Sequence, residues 1–275
     1  MIRRRVGRVA AAVVAACVAG LMSGCALLAP PPNPTASPEA TAPAPVPIAQ
    51  QLPNLLVAGQ TIGTGELGVI DHEPIGNPVA EHPLTGSVRI VVAADRRIEV
   101  RIRPDDPAGA SLTGIDLMMT GKRHDGRPEN IQDEDRYSLT SGADRTETNG
   151  ELVLPLMVDV ASFGDPSFLH SIEETPAGDA RVMAAAAITW TLPSAFPGLK
   201  PVDHGSVSNA RGRTIVEDGT LAYYIPSPND TIFTVSRRFG LTEAQLVWLN
   251  PELLMGSPEP ELKSGIGVNL DPGRR

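Results

Sequence analysis

The sequence predicts a mainly β chain, an antiparallel sandwich-like middle domain followed by a small α+β unit of order β-α-α-β. Three observations carry this. Between about residue 55 and residue 192, short apolar stretches recur between Pro, Gly and Asp turn signals, as half-buried antiparallel strands do. No helix of normal length interrupts them. Over residues 221–270 the period changes, and two short amphipathic helices stand between two short strands.

Ahead of both lies a different kind of sequence. Residues 1–8 carry Arg3, Arg4, Arg5 and Arg8, residues 9–22 are apolar and rich in Ala and Val, and Ser23-Gly24-Cys25 follows. A basic start, a short apolar run and small residues form an export signal. As a helix the run would reach only ~21 Å, against ~30 Å of hydrocarbon, so a cleaved signal fits better than a spanning segment. Leu21-Met22-Ser23-Gly24-Cys25 resembles the lipobox of bacterial lipoproteins, with Met22 where that family prefers Leu, Val or Ile. The resemblance implies cleavage after residue 24 and a diacylglyceryl thioether on Cys25, usually joined by an N-acyl chain. The membrane would be reached through lipidated Cys25, since two or more acyl chains hold a protein on a bilayer firmly and one does not. The other of the two cysteines, Cys17, lies inside the signal, so neither a disulfide nor a thiol nucleophile is expected in the mature chain.

Residues 25–53 are rich in Pro and Ala, with prolines at 30, 31, 32, 34, 38, 43, 45 and 47. Such a stretch lacks backbone donors and has no core to bury, so an extended, solvated tether is expected. In polyproline II geometry it would span roughly 80 Å. A spacer and an undocked tail are both compatible with this composition.

The β-rich domain is assigned to residues 54–212. Ser87-Val88-Arg89-Ile90-Val91-Val92 is short and apolar, and Ile98, Val100 and Ile102 alternate with Glu99, Arg101 and Arg103. Strict alternation marks a strand with one buried face. Residues 112–120, 151–158 and 181–192 are further candidates. In the last, Ala184-Ala185-Ala186-Ala187 is also compatible with helix, but Ile188-Thr189-Trp190-Thr191 favours a strand. Asp105-Asp106-Pro107-Ala108-Gly109 and Asp125-Gly126-Arg127-Pro128 read as turns between strands.

Composition excludes several function classes. With 23 Lys and Arg against 32 Asp and Glu the net charge is −9, the wrong sign for generic nucleic-acid binding. No nucleic-acid partner is expected. Asp71-His72-Glu73 and Glu81-His82 contain metal-ligand residue types but sit in loop sequence without converging spacing, so no metal and no other cofactor is expected. The run Asp125, Glu129, Asp133, Glu134, Asp135 does not follow calcium-loop spacing and reads as a solvated loop. His124, His170 and His204 stand alone, without a Ser or Asp motif to complete a triad. There is no Gly-rich phosphate loop.

The unit at residues 213–275 is the most informative. Leu221-Ala222-Tyr223-Tyr224-Ile225 reads as a strand and Pro226-Ser227-Pro228-Asn229 as a turn. Asp230 is placed to cap a helix whose apolar face is Ile232, Val235 and Phe239. Gly240 stops that helix, because glycine accepts the left-handed conformation just past a helix end. Thr242-Glu243-Ala244-Gln245 is a capping box for the next helix, with Leu241 and Leu246 as its staple and Leu246 and Leu249 facing inward. Asn250-Pro251 ends it. Ile266, Val268 and Leu270 alternate as a closing strand.

Residues 224–270 resemble a LysM domain. Tyr224, Asp230, Thr231 and Ile232 match the family's opening. Val235-Ser236-Arg237-Arg238-Phe239-Gly240-Leu241-Thr242 matches its first helix and turn, Leu246 with Asn250-Pro251 its second helix, and Leu262-Lys263-Ser264-Gly265 with Val268-Asn269-Leu270 its close. Pro226 stands where the family has a strand Val, Asn229 where it has Gly, and residues 255–261 lengthen the second loop. The resemblance implies non-catalytic binding of peptidoglycan or another N-acetylglucosamine glycan in a groove between two loops. Carried over, those loops are Asn229, Asp230, Thr231 and Ile232, and Asn250, Pro251, Glu252 and Leu253. The expectation is a lipid-anchored envelope protein facing the wall, not an enzyme. Its alternatives are a peptidoglycan hydrolase targeted by this module, or a scaffolding protein whose LysM-like fold contacts protein.

Overall fold

The structure, a computed structural model, describes residues 46–70, 82–128, 130, 136–140, 146–156, 164–254 and 260–275. The export signal, Cys25, most of the Pro-rich stretch, Asp71-His72-Glu73, Glu81, Glu129 and Asp133-Glu134-Asp135 lie outside the described residues. No helix among the described residues is long and apolar enough to cross a membrane.

Alternation shapes the first part. Strands β1 (Thr61–Val69), β2 (Gly86–Val92) and β3 (Ile98–Pro104) are antiparallel neighbours. The β2–β3 register sets Val88 opposite Ile102, Ile90 opposite Val100 and Val92 opposite Ile98. All six side chains are buried, so one face of this pair is core. The sheet continues through β4 (Ile115–Thr120), β5 (Arg136–Ser138), β6 (Thr146–Thr148), β7 (Glu151–Pro155), β8 (Ser171–Pro176), β9 (Ala184–Ala187) and β10 (Thr189–Trp190). Its strand order is β5-β4-β8-β9-β1-β2-β3-β7-β6, with β10 also paired to β1 and every pairing antiparallel. Ile90 and Val100 from one half and Leu117 and Ile172 from the other belong to one core cluster, so the sheet curls over a single core. The chain is mainly β, as the alternation predicts.

Particular bounds differ from the sequence expectation. The strand expected over 112–120 starts at Ile115, because Gly114 takes φ +78°. The stretch 181–192 is two strands, broken at Ile188, whose N–H bonds to the carbonyl of His170. Four Ala residues there are strand, not helix. β1 and β8 carry no clear alternation; all of β8 is buried although Glu173 and Glu174 sit in it.

The second part is a three-stranded sheet, ordered β11 (Arg213–Glu217), β12 (Thr220–Ile225) and β13 (Val268–Asn269), with two helices inserted between β12 and β13. A four-residue helix, α1 (Ile48–Gln51), lies far ahead in sequence; the inserted helices are α2 (Ile232–Arg238) and α3 (Glu243–Leu249). Tyr224, Val235, Phe239, Leu246, Leu249 and Val268 form a second core. Gly240, with φ +69°, turns the chain between α2 and α3. The capping box at Thr242 forms: its hydroxyl accepts the Gln245 N–H, and the Gln245 side chain accepts the Thr242 N–H.

Two expectations in this part are corrected. Asp230 does not cap α2; Thr231 does, its hydroxyl accepting the Thr234 N–H, because the Asp230 carboxylate is already occupied elsewhere. Ile266 is 45% exposed and precedes β13, so only Val268 and Leu270 of the expected closing strand face the core.

The second core also draws in more distant sequence. Ile48 and Leu52, at the end of the Pro-rich stretch, pack against it, as do Phe196 and Leu199. Backbone bonds from Val202 and His204 to the last turn of α2, and from Thr231 to Asn209, wrap residues 202–212 around the same unit. Pro45–Arg275 is one compact unit.

Candidate functional site

The first loop is built around one carboxylate. Asp230 Oδ1 accepts the N–H of Arg211 at 2.9 Å, and Oδ2 accepts the N–H of Gly212 at 3.1 Å, the N–H of Ser227 at 2.8 Å and the Tyr224 hydroxyl at 2.5 Å. Burial pushes the Asp230 carboxyl up, but these donors outweigh it and hold it below the usual range. Burial and the same carboxylate push the Tyr224 phenol up to about 12. Gly212 is required where it stands, since a Cβ there would meet the Ile225 carbonyl oxygen and the Tyr224 ring. Asn229 takes φ +71°, a left-handed conformation that favours glycine and that Asn tolerates better than most.

The second loop is fixed in a comparable way. The Asn250 amide donates to the carbonyls of Leu246 at 2.8 Å and Asn269 at 2.9 Å, while its oxygen accepts the Asn269 N–H at 2.6 Å. This ties the end of α3 to β13. Pro251 then opens a short 3-10 turn, Pro251–Leu254, whose last residue packs against both hydrophobic cores. The turn before the first loop is tied to the segment that leads into β13: the Pro226 carbonyl accepts the Gly265 N–H at 3.0 Å and the Ser264 hydroxyl at 3.4 Å.

The eight expected glycan-site residues therefore divide. Asp230, Ile232, Asn250 and Pro251 are buried and hold the loops in shape. Asn229 and Thr231 are exposed, and Glu252 and Leu253 are half-buried. A ligand would meet the latter four side chains and the loop backbone. Phe233, 52% exposed beside the capping Thr231, is an apolar surface the sequence reasoning missed. It falls off the Ile232, Val235 and Phe239 face, and that offset was its only signal. Arg237 lies 5.6 Å from its ring centre.

Where the two cores meet, a cleft of about 600 Å³ is lined by Arg123, Arg127, His170, Trp190, Trp248 and Arg275, among others. Asp165 is its keystone. Its Oδ2 accepts the Trp248 indole N–H at 2.8 Å and pairs with Arg275 at 3.2 Å, and the Arg275 guanidinium stacks 4.1 Å from the Trp248 ring centre. Arg275 also donates to the Ser167 hydroxyl and to the carbonyls of Trp248 and Asp165. Burial, helped by the charge of Arg123, pushes His170 down to about 3, so it is neutral. Arg275 and Arg123, which also donates to the Gly273 and Arg275 carbonyls, fasten the two parts together.

The remaining sequence candidates fall elsewhere. His124 is not alone: its Nε2 lies 2.9 Å from Glu173. His204 is exposed near Gly240. Asp125 binds the Arg127 N–H and Arg123 as part of a turn. Among the described residues, no three or more His, Cys, Asp or Glu are grouped to hold a metal ion.

No family model matches this chain, and neither a curated protein nor a solved structure is detectably similar to it.

Proposed function

We propose that the chain is a lipid-anchored envelope protein that binds peptidoglycan, or another N-acetylglucosamine glycan, through residues 213–275. The observation that carries the reading is the β12-α2-α3-β13 order, with Asp230 and Asn250 fixing its two loops, on a sequence that resembles LysM over the same residues. An N-acetyl group offers one N–H, one carbonyl and one methyl. Backbone donors and acceptors held rigid by Asp230 and Asn250, beside a half-buried Leu253, suit those three features without a charged side chain. Rigid loops also lower the entropy lost on binding. The anchor rests on residues 1–25 alone.

With acyl chains at Cys25 and a glycan module at the other end, the protein would be bivalent. The second contact becomes intramolecular, so a weak glycan affinity suffices. The β domain would be displayed between membrane and wall.

The test is co-sedimentation of the full chain, in mild detergent, with insoluble peptidoglycan. Retention that N-acetylglucosamine oligomers compete away is expected. Passage into the supernatant at low salt sinks the glycan reading. For the anchor, Cys25→Ser is expected to abolish labelling by a radioactive fatty acid and to move the protein out of the membrane fraction.

A further inference from the structure

β8 holds two adjacent carboxyls, and the protein treats them in opposite ways. Glu173 and Glu174 are each 1% exposed, and successive strand residues point to opposite faces. On its face Glu173 meets side-chain nitrogen donors, the His124 imidazole at 2.9 Å and the Arg136 guanidinium at 3.6 Å. On the other face Glu174 meets none: its Oε2 accepts the Leu84 N–H at 2.8 Å, and among the described residues no Lys, Arg or His pairs with it. Directly opposite it on the neighbouring strands stand Leu117 of β4 and Ala184 of β9.

Glu174 instead lines a cleft of about 510 Å³, within the size range of small-molecule sites. Among the described residues, His82 and Asp106 are the other titratable groups there, Ser111 and Thr113 supply hydroxyls, and no Lys or Arg lines it. Leu84 and its neighbours supply apolar wall. A buried carboxylate without a counter-charge is costly, and that cost is relieved by a cation or by a proton. The Glu173 face has a guanidinium and an imidazole built in; the Glu174 face has an opening.

We infer that the cleft between the β2–β3 and β4–β8 strands, floored by Glu174 and flanked by Asp106, binds a small ligand through a primary ammonium group. The ammonium occupies the place that His124 and Arg136 fill for Glu173, and makes a charge-assisted hydrogen bond to the free Glu174 oxygen. Burial holds the empty-site carboxyl up at about 7, so the ligand displaces a proton near neutral pH. The inference stands apart from glycan binding by the C-terminal unit.

The test uses the full chain with carboxyl-labelled glutamate, followed by NMR, and Glu174→Gln to assign the signal. The probes are 1,5-diaminopentane and glucosamine, with N-acetylglucosamine as the neutral control. Gln keeps an acceptor for the Leu84 N–H and nearly the same shape, and its thermal melt checks the fold. The two amines are expected to lower the titration midpoint of Glu174, and N-acetylglucosamine to leave it unmoved. Calorimetry in buffers of different ionisation enthalpy is expected to show proton release at pH 7. Amine affinity is expected to fall about tenfold per pH unit below 7. Glu174→Gln should weaken amine binding at least about tenfold at pH 8 and remove that pH dependence. An unmoved Glu174 signal at millimolar amine overturns the inference. So does equal binding of glucosamine and N-acetylglucosamine, or amine binding untouched by Glu174→Gln. Peptidoglycan retention is read separately, so either proposal can fail alone.

Discussion

Asp230 illustrates how one side chain serves a whole loop. Its two oxygens accept three backbone N–H groups and a phenol, and of these donors the Gly212 N–H also reaches the Tyr224 hydroxyl at 2.7 Å. Replacing it with Ala removes four hydrogen bonds to a charged acceptor, partly offset by water at the part-buried Arg211 and Ser227 N–H groups and by the Tyr224 hydroxyl at Gly212. Asp230→Ala is therefore expected to destabilise the chain by roughly 3 kcal/mol, and Asp230→Asn by less, because an amide oxygen still accepts. Urea midpoints measure both. Because its carboxyl is held below the usual range, the stabilisation is full above the unfolded value and is lost as pH falls through the folded value. The wild type should lose stability on acidification more steeply than Asp230→Asn. If Asp230→Ala melts with the wild type, this carboxylate is not what shapes the loop.

At the scale of an element, α2 and α3 are seven residues each, too short to hold in water by hydrogen bonding alone. They persist because each has a capping box and a buried face. For α3, Thr242→Ala removes the acceptor for the Gln245 N–H and is expected to cost about 1 kcal/mol, whereas Thr242→Gly costs less. Both should lower the denaturation midpoint without altering the slope, since little buried surface changes. Equal stability of all three proteins would show that packing of Leu246 and Leu249 suffices without the cap.

For the molecule as a whole, the seam at Asp165 is expected to couple the melting of the two cores. Trp248 and Arg275 reach across from the second part, and both bond to Asp165, which is 1% exposed. One calorimetric transition is expected for the wild type. Asp165→Ala strands a buried guanidinium, a defect worth about 3–5 kcal/mol, and is expected to split the melt into two transitions. A single unshifted transition in the variant would place the coupling elsewhere, in the packing of Leu254 against both cores. Under the proposed function this seam has a consequence: the glycan-binding unit is presented at a set angle to the β domain, instead of swinging on a linker.

Local chemistry was enough to read β2, β3, the Gly240 turn and the Thr242 capping box, because period, positive φ and a cap depend only on neighbours in sequence. It was not enough for β8. Glu173 and Glu174 look like surface residues in the sequence, yet the strand is central and both are buried. What makes that tolerable is His124 and Arg136 on one side and a cleft on the other, and none of these is near in sequence. The role of Asp230 was misread for the same reason. A carboxylate at a helix entrance is a good cap, and only the return of residues 211 and 212 gives it stronger partners. Pattern and propensity determined the alternating strands and the two capped helices; long-range contacts decided where strands such as β1 and β8 form, and which polar groups are spent on structure and which are left for a ligand, because burial is a property of the folded chain and not of any segment in it.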